Sequence, residues 1–279
     1  MESRLVRIGH SPDPDDAFMF YALAKEKLDT GRLRFQHLLE GIETLNNWAL
    51  QGRLEVTAIS AHAYAYVADR YVLLPHGASV GRNYGPILVA KRPFDLVELR
   101  GKSIAVPGRL TTAFLLLRLC LDGFRAVEAP FDRIFDAVEG GEADAGLVIH
   151  EGQLTYGARG FLKLLDLGTW WHEKTGLPLP LGANAIRKDL GEPLCLEVSR
   201  LLRASIDYGL ANREEALRYA MQFGRGMERS LADRFVGMYV NEDTRAWSPE
   251  SRRGLQQLLS LAWERGLITK RVCPEFLPG

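Results

Sequence analysis

At 279 residues, with 47% hydrophobic and 25% charged side chains, the chain has the make-up of a folded globular protein, long enough for one large domain or two modest ones. Thirty-five basic residues balance thirty-five acidic ones, which removes the electrostatic footprint of a general nucleic-acid or acidic-membrane binder. Three scattered cysteines without a CxxC pair, and six histidines without tight ligand spacing, support neither a disulfide framework nor a metal site. The start, residues 1–10, alternates charges, and nowhere does an apolar run reach the ~18 residues of a membrane span. The expectation is a soluble cytoplasmic protein with no metal, no membrane insertion and no nucleic-acid partner.

In chain order, strand-like runs alternate with amphipathic stretches, as in α/β units built on mostly parallel sheets. Residues 5–9, 33–39, 55–60 and 87–91 read as strands, and 15–28 and 42–51 carry apolar side chains at helical spacing. Asp15 or Asp16 is the expected N-cap of the first helix, since its carboxylate can accept first-turn N–H groups. After Leu99-Arg100-Gly101-Lys102 the pattern restarts with a strand at 103–106, helices at 111–121 and 131–138, and a strand at 143–149. Ile8 followed by Ala17-Phe18 has the spacing of Ile104 followed by Ala113-Phe114, and Gly52-Arg53-Leu54-Glu55 resembles Gly141-Glu142-Ala143-Asp144. Two similar lobes follow from this repeat. Beyond Asp189, four helical stretches at 194–210, 214–223, 229–240 and 249–265 run without strands. Returned to the first lobe, they give a two-lobed α/β fold with a helical C-terminal region. Lobe 1 is then discontinuous, residues 1–94 plus 187–279, and lobe 2 spans 95–186, with hinge crossings near 91–96 and 181–187 and a central cleft.

In open α/β sheets ligands gather beyond the carboxyl ends of the strands, which selects residues 11–16, 60–62, 108–113 and 150–156. Thr111 and Thr112 open the second lobe's first helix, whose unpaired N–H groups and positive dipole end suit a carboxylate; plain capping uses the same groups. Asp15 and Asp16, at the matching place in the first lobe, should repel one. Ser60 can offer a hydroxyl and a backbone N–H across the cleft, while Ala58 and Ile59 offer backbone and shape. His150 follows a buried strand at the cleft, where an imidazole titrating near neutrality can serve as a general base. His62 and His10 fall near the same cleft, and Cys120 reads as a buried small hydrophobe. Neither a GxSxG elbow nor a Gly-rich phosphate loop is present.

Several stretches together resemble the 1,4-dihydroxy-6-naphthoate synthase family of the futalosine route to menaquinone. They are Ser11-Pro12 through Phe18-Met19-Phe20-Tyr21-Ala22-Leu23, Glu43-Thr44-Leu45-Asn46, and Val106-Pro107-Gly108-Arg109 with Thr111-Thr112-Ala113. Gly146-Leu147-Val148-Ile149-His150-Glu151 and Gly176-Leu177-Pro178-Leu179-Pro180-Leu181-Gly182 complete the set. The resemblance implies a two-lobed fold similar to type 2 periplasmic binding proteins. It also implies a carbon–carbon lyase, without cofactor, that converts cyclic dehypoxanthinyl futalosine to 1,4-dihydroxy-6-naphthoate and a three-carbon fragment. His150 then matches the family's proposed base, and Ala58, Ile59, Ser60, Thr112 and Ala113 match its substrate contacts; Thr111 is added by the dipole argument. Two departures stand out. The family's SPCPND loop is Ser11-Pro12-Asp13-Pro14-Asp15-Asp16 here, and a lysine common two places before the matching serine is Ala58, leaving Arg82 or Arg109 to supply its charge.

Three rival readings share the two-lobed style. Chorismate dehydratase of the same route is set apart by the His150-Glu151 segment, and a non-catalytic small-carboxylate binding protein by the missing export signal. A transcriptional effector domain lacks both a helix-turn-helix ahead of Leu5 and a basic surface.

Overall fold

The computed structural model describes residues 3–279, so Met1 and Glu2 of the first expected lobe lie outside the described residues. Lobe 1 begins with β1 (Arg4–His10), α1 (Pro14–Ala24), β2 (Leu33–Leu39), α2 (Ile42–Gln51) and β3 (Val56–Ser60). It continues through α3 (Ala61–Val67), β4 (Tyr71–Leu73) and β5 (Ser79–Gly81). Lobe 2 holds β6 (Ile87–Ala90), β7 (Ser103–Val106), α4 (Thr112–Cys120), β8 (Arg125–Glu128), α5 (Ile134–Glu139) and β9 (Ala145–Val148). After these come α6 (Gly152–Thr155), β10 (Leu162–Asp166) and α7 (Leu167–Thr175). The chain returns through β11 (Leu179–Arg187) to α8 (Glu192–Ala211), α9 (Arg213–Ala220), α10 (Arg229–Tyr239), α11 (Glu242–Arg245) and α12 (Pro249–Glu264).

One sheet has the order β2-β1-β3-β11-β4, with β5 also on β11; the other runs β10-β6-β9-β7-β8. The repeat read from the sequence is visible here. β2-β1-β3 and β8-β7-β9 are parallel triplets, and each is followed by an antiparallel strand that arrives from the other lobe, β11 or β6. An extended crossing segment pairs with the sheet it enters, so β6 and β11 each belong to the opposite lobe from the one a 94/95 and 186/187 division assigns. The crossings fall between Gly81 and Ile87 and between Thr175 and Leu179.

The N-cap of α1 is Asp13, not Asp15 or Asp16. Pro14 is the reason: its fixed φ and missing N–H suit the first helical position and bias the preceding residue to extended backbone. α1 is buried nearly all round, with Phe18, Met19, Phe20 and Tyr21 packed among α8, α9 and α10. The helical tail therefore anchors the element that presents Asp13 to the cleft. α12 packs on β11, α3 and α4, touching both lobes. Among the described residues no helix is long and apolar enough to cross a membrane.

Candidate active site

Between the sheets lies a cavity of about 710 Å³, its open mouth included. Its lining brings together Ala58, Ile59, Ser60, Thr111, Thr112, Ala113 and His150. The strand-end rule works because Ser60 closes β3 and His150 lies two residues past β9, the equivalent strand of the other lobe. His62 and His10 are buried outside the lining, His62 bonding to Tyr66 and His10 stacking on Phe20.

His150 has φ +54°, a left-handed conformation unusual for a residue with a Cβ, so its ring is held where the regular backbone would not put it. The ring meets the edge of Phe131, with centroids 4.8 Å apart. Nδ1 lies 2.9 Å from Asp13 Oδ2, while Nε2 is buried with no partner among the described residues. Asp13 Oδ1 accepts the Asp16 N–H at 3.3 Å, and Asp16 Oδ2 accepts the Ser11 N–H at 2.7 Å. One turn of chain thus places three carboxyl groups beside one imidazole.

Their protonation follows from burial and charge together. Burial works to lower His150, but the Asp13 charge and close contact, helped by Glu151 and Asp16, hold it above its ordinary value. Burial works to raise Asp13, and the charge and close contact of His150 bring it below the usual carboxylate range. Asp15 goes well above that range through burial and then the charges of Asp13 and Asp16, while burial and Asp13 push Asp16 up to about 8. Both shifts favour the neutral acid, which can donate a hydrogen bond and repels an anion less than the carboxylate expected at this place. Ligand-type atoms of Asp13, Asp15 and His150 lie within 4.8 Å of one another.

On the facing side, Asn46 of α2, fully buried, accepts the Ser60 N–H through Oδ1 and donates from Nδ2 to Ser60 Oγ, each at 3.0 Å. The Ser60 backbone N–H is therefore spent on Asn46, contrary to expectation, and its hydroxyl proton has no acceptor among the described residues. Thr111 caps α4, accepting the Phe114 N–H at 3.2 Å, and its hydroxyl donates to Gly108. The Thr112 hydroxyl donates to the Leu181 carbonyl at 2.5 Å. Both threonine hydroxyls are thus engaged, and what α4 offers a ligand is the first-turn backbone N–H groups of Thr112 and Ala113. Arg82 and Arg109 do not replace the charge missing at Ala58: Arg82 pairs with Asp243 at 2.6 Å and Arg109 with Glu128 at 2.5 Å, and neither lines the cavity.

The lobes are clasped around this space. Glu43 of α2 accepts the Leu110 N–H at 3.1 Å, and the Tyr239 hydroxyl of α10 donates to Gln153 of α6 at 2.9 Å. Arg225, between α9 and α10, binds Glu151 at 2.6 Å and the Pro12 carbonyl at 3.0 Å. Asn46, Gln153, Arg225 and Tyr239 were not singled out from the sequence. Asn46 and Gln153 carried only the weak signal of lying in quoted or selected segments; Arg225 and Tyr239, in the helical tail, carried none.

Twin sheets of like topology, closed on a cavity at their strand ends, define a two-lobed fold of the periplasmic-binding-protein type. The alkanesulfonate-binding protein SsuA of Xanthomonas axonopodis pv. citri has this fold, with a TM-score of 0.72 over 98% of this chain and 97% of that one at 16% identity. A crystal structure of a protein from Archaeoglobus fulgidus is much nearer, at 50% identity and TM-score 0.91, covering 95% of this chain and 98% of that one. A family model described as menaquinone biosynthesis matches residues 6–264. The 1,4-dihydroxy-6-naphthoate synthase of Thermus thermophilus is 43% identical over 98% of this chain and 99% of its own length, and that of Streptomyces coelicolor 37% identical over 96% of each. The chain belongs to the 1,4-dihydroxy-6-naphthoate synthase family of menaquinone biosynthesis.

Proposed function

We propose that His150 is the general base of the reaction this family performs. The chain has the activity of a 1,4-dihydroxy-6-naphthoate synthase, a lyase of menaquinone biosynthesis acting on a small substrate. In this reading the substrate is cyclic dehypoxanthinyl futalosine. Its anionic group rests on the Thr112 and Ala113 N–H groups and the Ser60 hydroxyl, with Ala58 and Ile59 shaping the wall. His150 Nε2 removes a proton from the sugar-derived portion, and the electron pair left behind starts carbon–carbon cleavage, releasing the naphthoate and a three-carbon fragment. The clasped lobes exclude water and hold base and substrate in register.

The observation that carries this reading is that His150, whose buried Nε2 has no hydrogen-bond partner among the described residues, lines one cavity with the six other expected site residues. Purified protein should convert cyclic dehypoxanthinyl futalosine to 1,4-dihydroxy-6-naphthoate, identified by mass spectrometry. His150→Asn, which tolerates the left-handed backbone, should lower kcat by roughly 10²–10⁴ without unfolding the chain. Near-normal turnover in that variant would refute the assignment.

A further inference from the structure

We infer that Asp13 is a positioning residue for His150, and that the working base is assembled only when the lobes close. The inference rests on the reading of His150 as base and adds to it a partner that no part of that reading requires. Asp13 lies past β1 of the first lobe and His150 past β9 of the second, yet Oδ2 and Nδ1 are 2.9 Å apart. Asp13 is not free to follow the ring, because Pro14 fixes the chain behind it and Oδ1 is tied to the Asp16 N–H as the cap of α1. The carboxylate is a fixed post on one lobe, and the imidazole reaches it by lobe closure.

A carboxylate that accepts the Nδ1 proton selects one tautomer and leaves the Nε2 lone pair for the substrate. When Nε2 takes the substrate proton, Nδ1 keeps its own and the imidazolium is stabilised by the Asp13 charge; the substrate retains the electron pair of the broken bond. The same logic orients the histidine of hydrolase triads, where the carboxylate holds the ring without itself being protonated. The groups facing the ring are Asp13, Asp15 and Asp16 from the start of α1, Glu151 beside it, Arg225 neutralising Glu151, and the Phe131 edge. Of these, Asp13 is the one whose oxygen approaches Nδ1 to 2.9 Å, an ion-pair contact whose N–H is not aligned on Oδ2 as a hydrogen bond in this structure. Its charge and close contact are also the main influences that raise His150 against burial.

The test is kcat and KM against pH for the intact protein, Asp13→Asn, Asp13→Ser and His150→Asn, followed by naphthoate release. Asn and Ser both keep an N-cap acceptor, so α1 should stay formed, and circular dichroism melting checks this. In Asp13→Asn the neutral amide can offer Nδ1 a donor, which favours the tautomer whose Nε2 is protonated. The expected result is a kcat loss of roughly 10²–10⁴ in both Asp13 variants, a KM within about threefold, and an acid limb displaced to lower pH by about one unit. If both Asp13 variants keep kcat within about threefold and the acid limb does not move while His150→Asn is inactive, Asp13 is a helix cap only and the base assignment stands. A kcat loss with an unmoved acid limb and a lowered melting temperature likewise overturns the positioning role. Normal turnover in His150→Asn overturns both readings together.

Discussion

Ser60 shows how a residue's chemistry is set by a neighbour rather than by its own type. Its hydroxyl oxygen receives the Asn46 amide and its N–H is consumed by the Asn46 carbonyl, so the hydroxyl proton is the one donor Ser60 has left for a ligand. Asn46→Asp should separate these roles, because a carboxylate still accepts the Ser60 N–H but also attracts the hydroxyl proton, turning it from the cavity. The expected outcome is a KM raised about tenfold, the worth of one hydrogen bond to an anion, with kcat changed much less. Steady-state kinetics decide, and an unchanged KM would remove Ser60 from the list of anchors. Ser60 itself could be read from the sequence, since it ends a β-like run. Its dependence on Asn46 could not, because the contact joins a helix to a strand end and only packing sets that register.

Elements were legible where periodicity is strong. The strands read at 33–39, 103–106 and near the N-terminus, and the tail helices, match the observed ones closely, since buried apolar runs leave few alternatives. β11 carries Pro180 and Gly182, residues that weaken a strand signal, and its pairing with β3 is what moves the lobe boundary. The α1 N-cap moved from Asp15 or Asp16 to Asp13 because Pro14, more than the acidic pattern, decides where that helix begins. At the α4 entrance Gly108 has φ +142°, and a Cβ there would come within 2.4 Å of Glu43, the residue that clasps the Leu110 N–H from the other lobe. Gly108→Ala should therefore displace Glu43, weaken closure and raise KM, while the strained backbone costs roughly 1 kcal/mol or more of stability. Urea unfolding and KM measured together check this. Retention of both values would mean that the Glu43 clasp contributes nothing to closure.

At the scale of the whole molecule, opposite pKa shifts shape stability against pH. Burial lowers His10 to about 3 and His37, His62 and His76 to about 4, from an ordinary 6.5. Histidines depressed in this way take up protons first in the unfolded chain, so their support is complete above pH 6.5 and is lost as the pH falls toward 4. Asp15 and Asp16 run the other way: their pKa values are raised, so their support is greatest below the ordinary carboxylate range and is lost as pH rises, for Asp16 through about 8. The raised His150 adds to that alkaline loss. Four histidines outweigh two carboxyls on the acid side, so Tm should climb from pH 4 to a maximum near 6.5 and decline toward 8. Calorimetry across that range tests it, and a Tm still rising at pH 8 would contradict the protonated Asp15 and Asp16. The sequence by itself determined the doubled α/β unit, the helical tail, and the strand-end segments that carry Ser60, Thr111 and His150, because these depend on apolar periodicity and local turn chemistry. Tertiary structure alone decided which lobe β6 and β11 join, that Asp13 meets His150, that Asn46 binds Ser60, and that Asp13, Asp15 and Asp16 are buried together. Those outcomes depend on distances and burial between residues far apart in the chain, which no local pattern encodes.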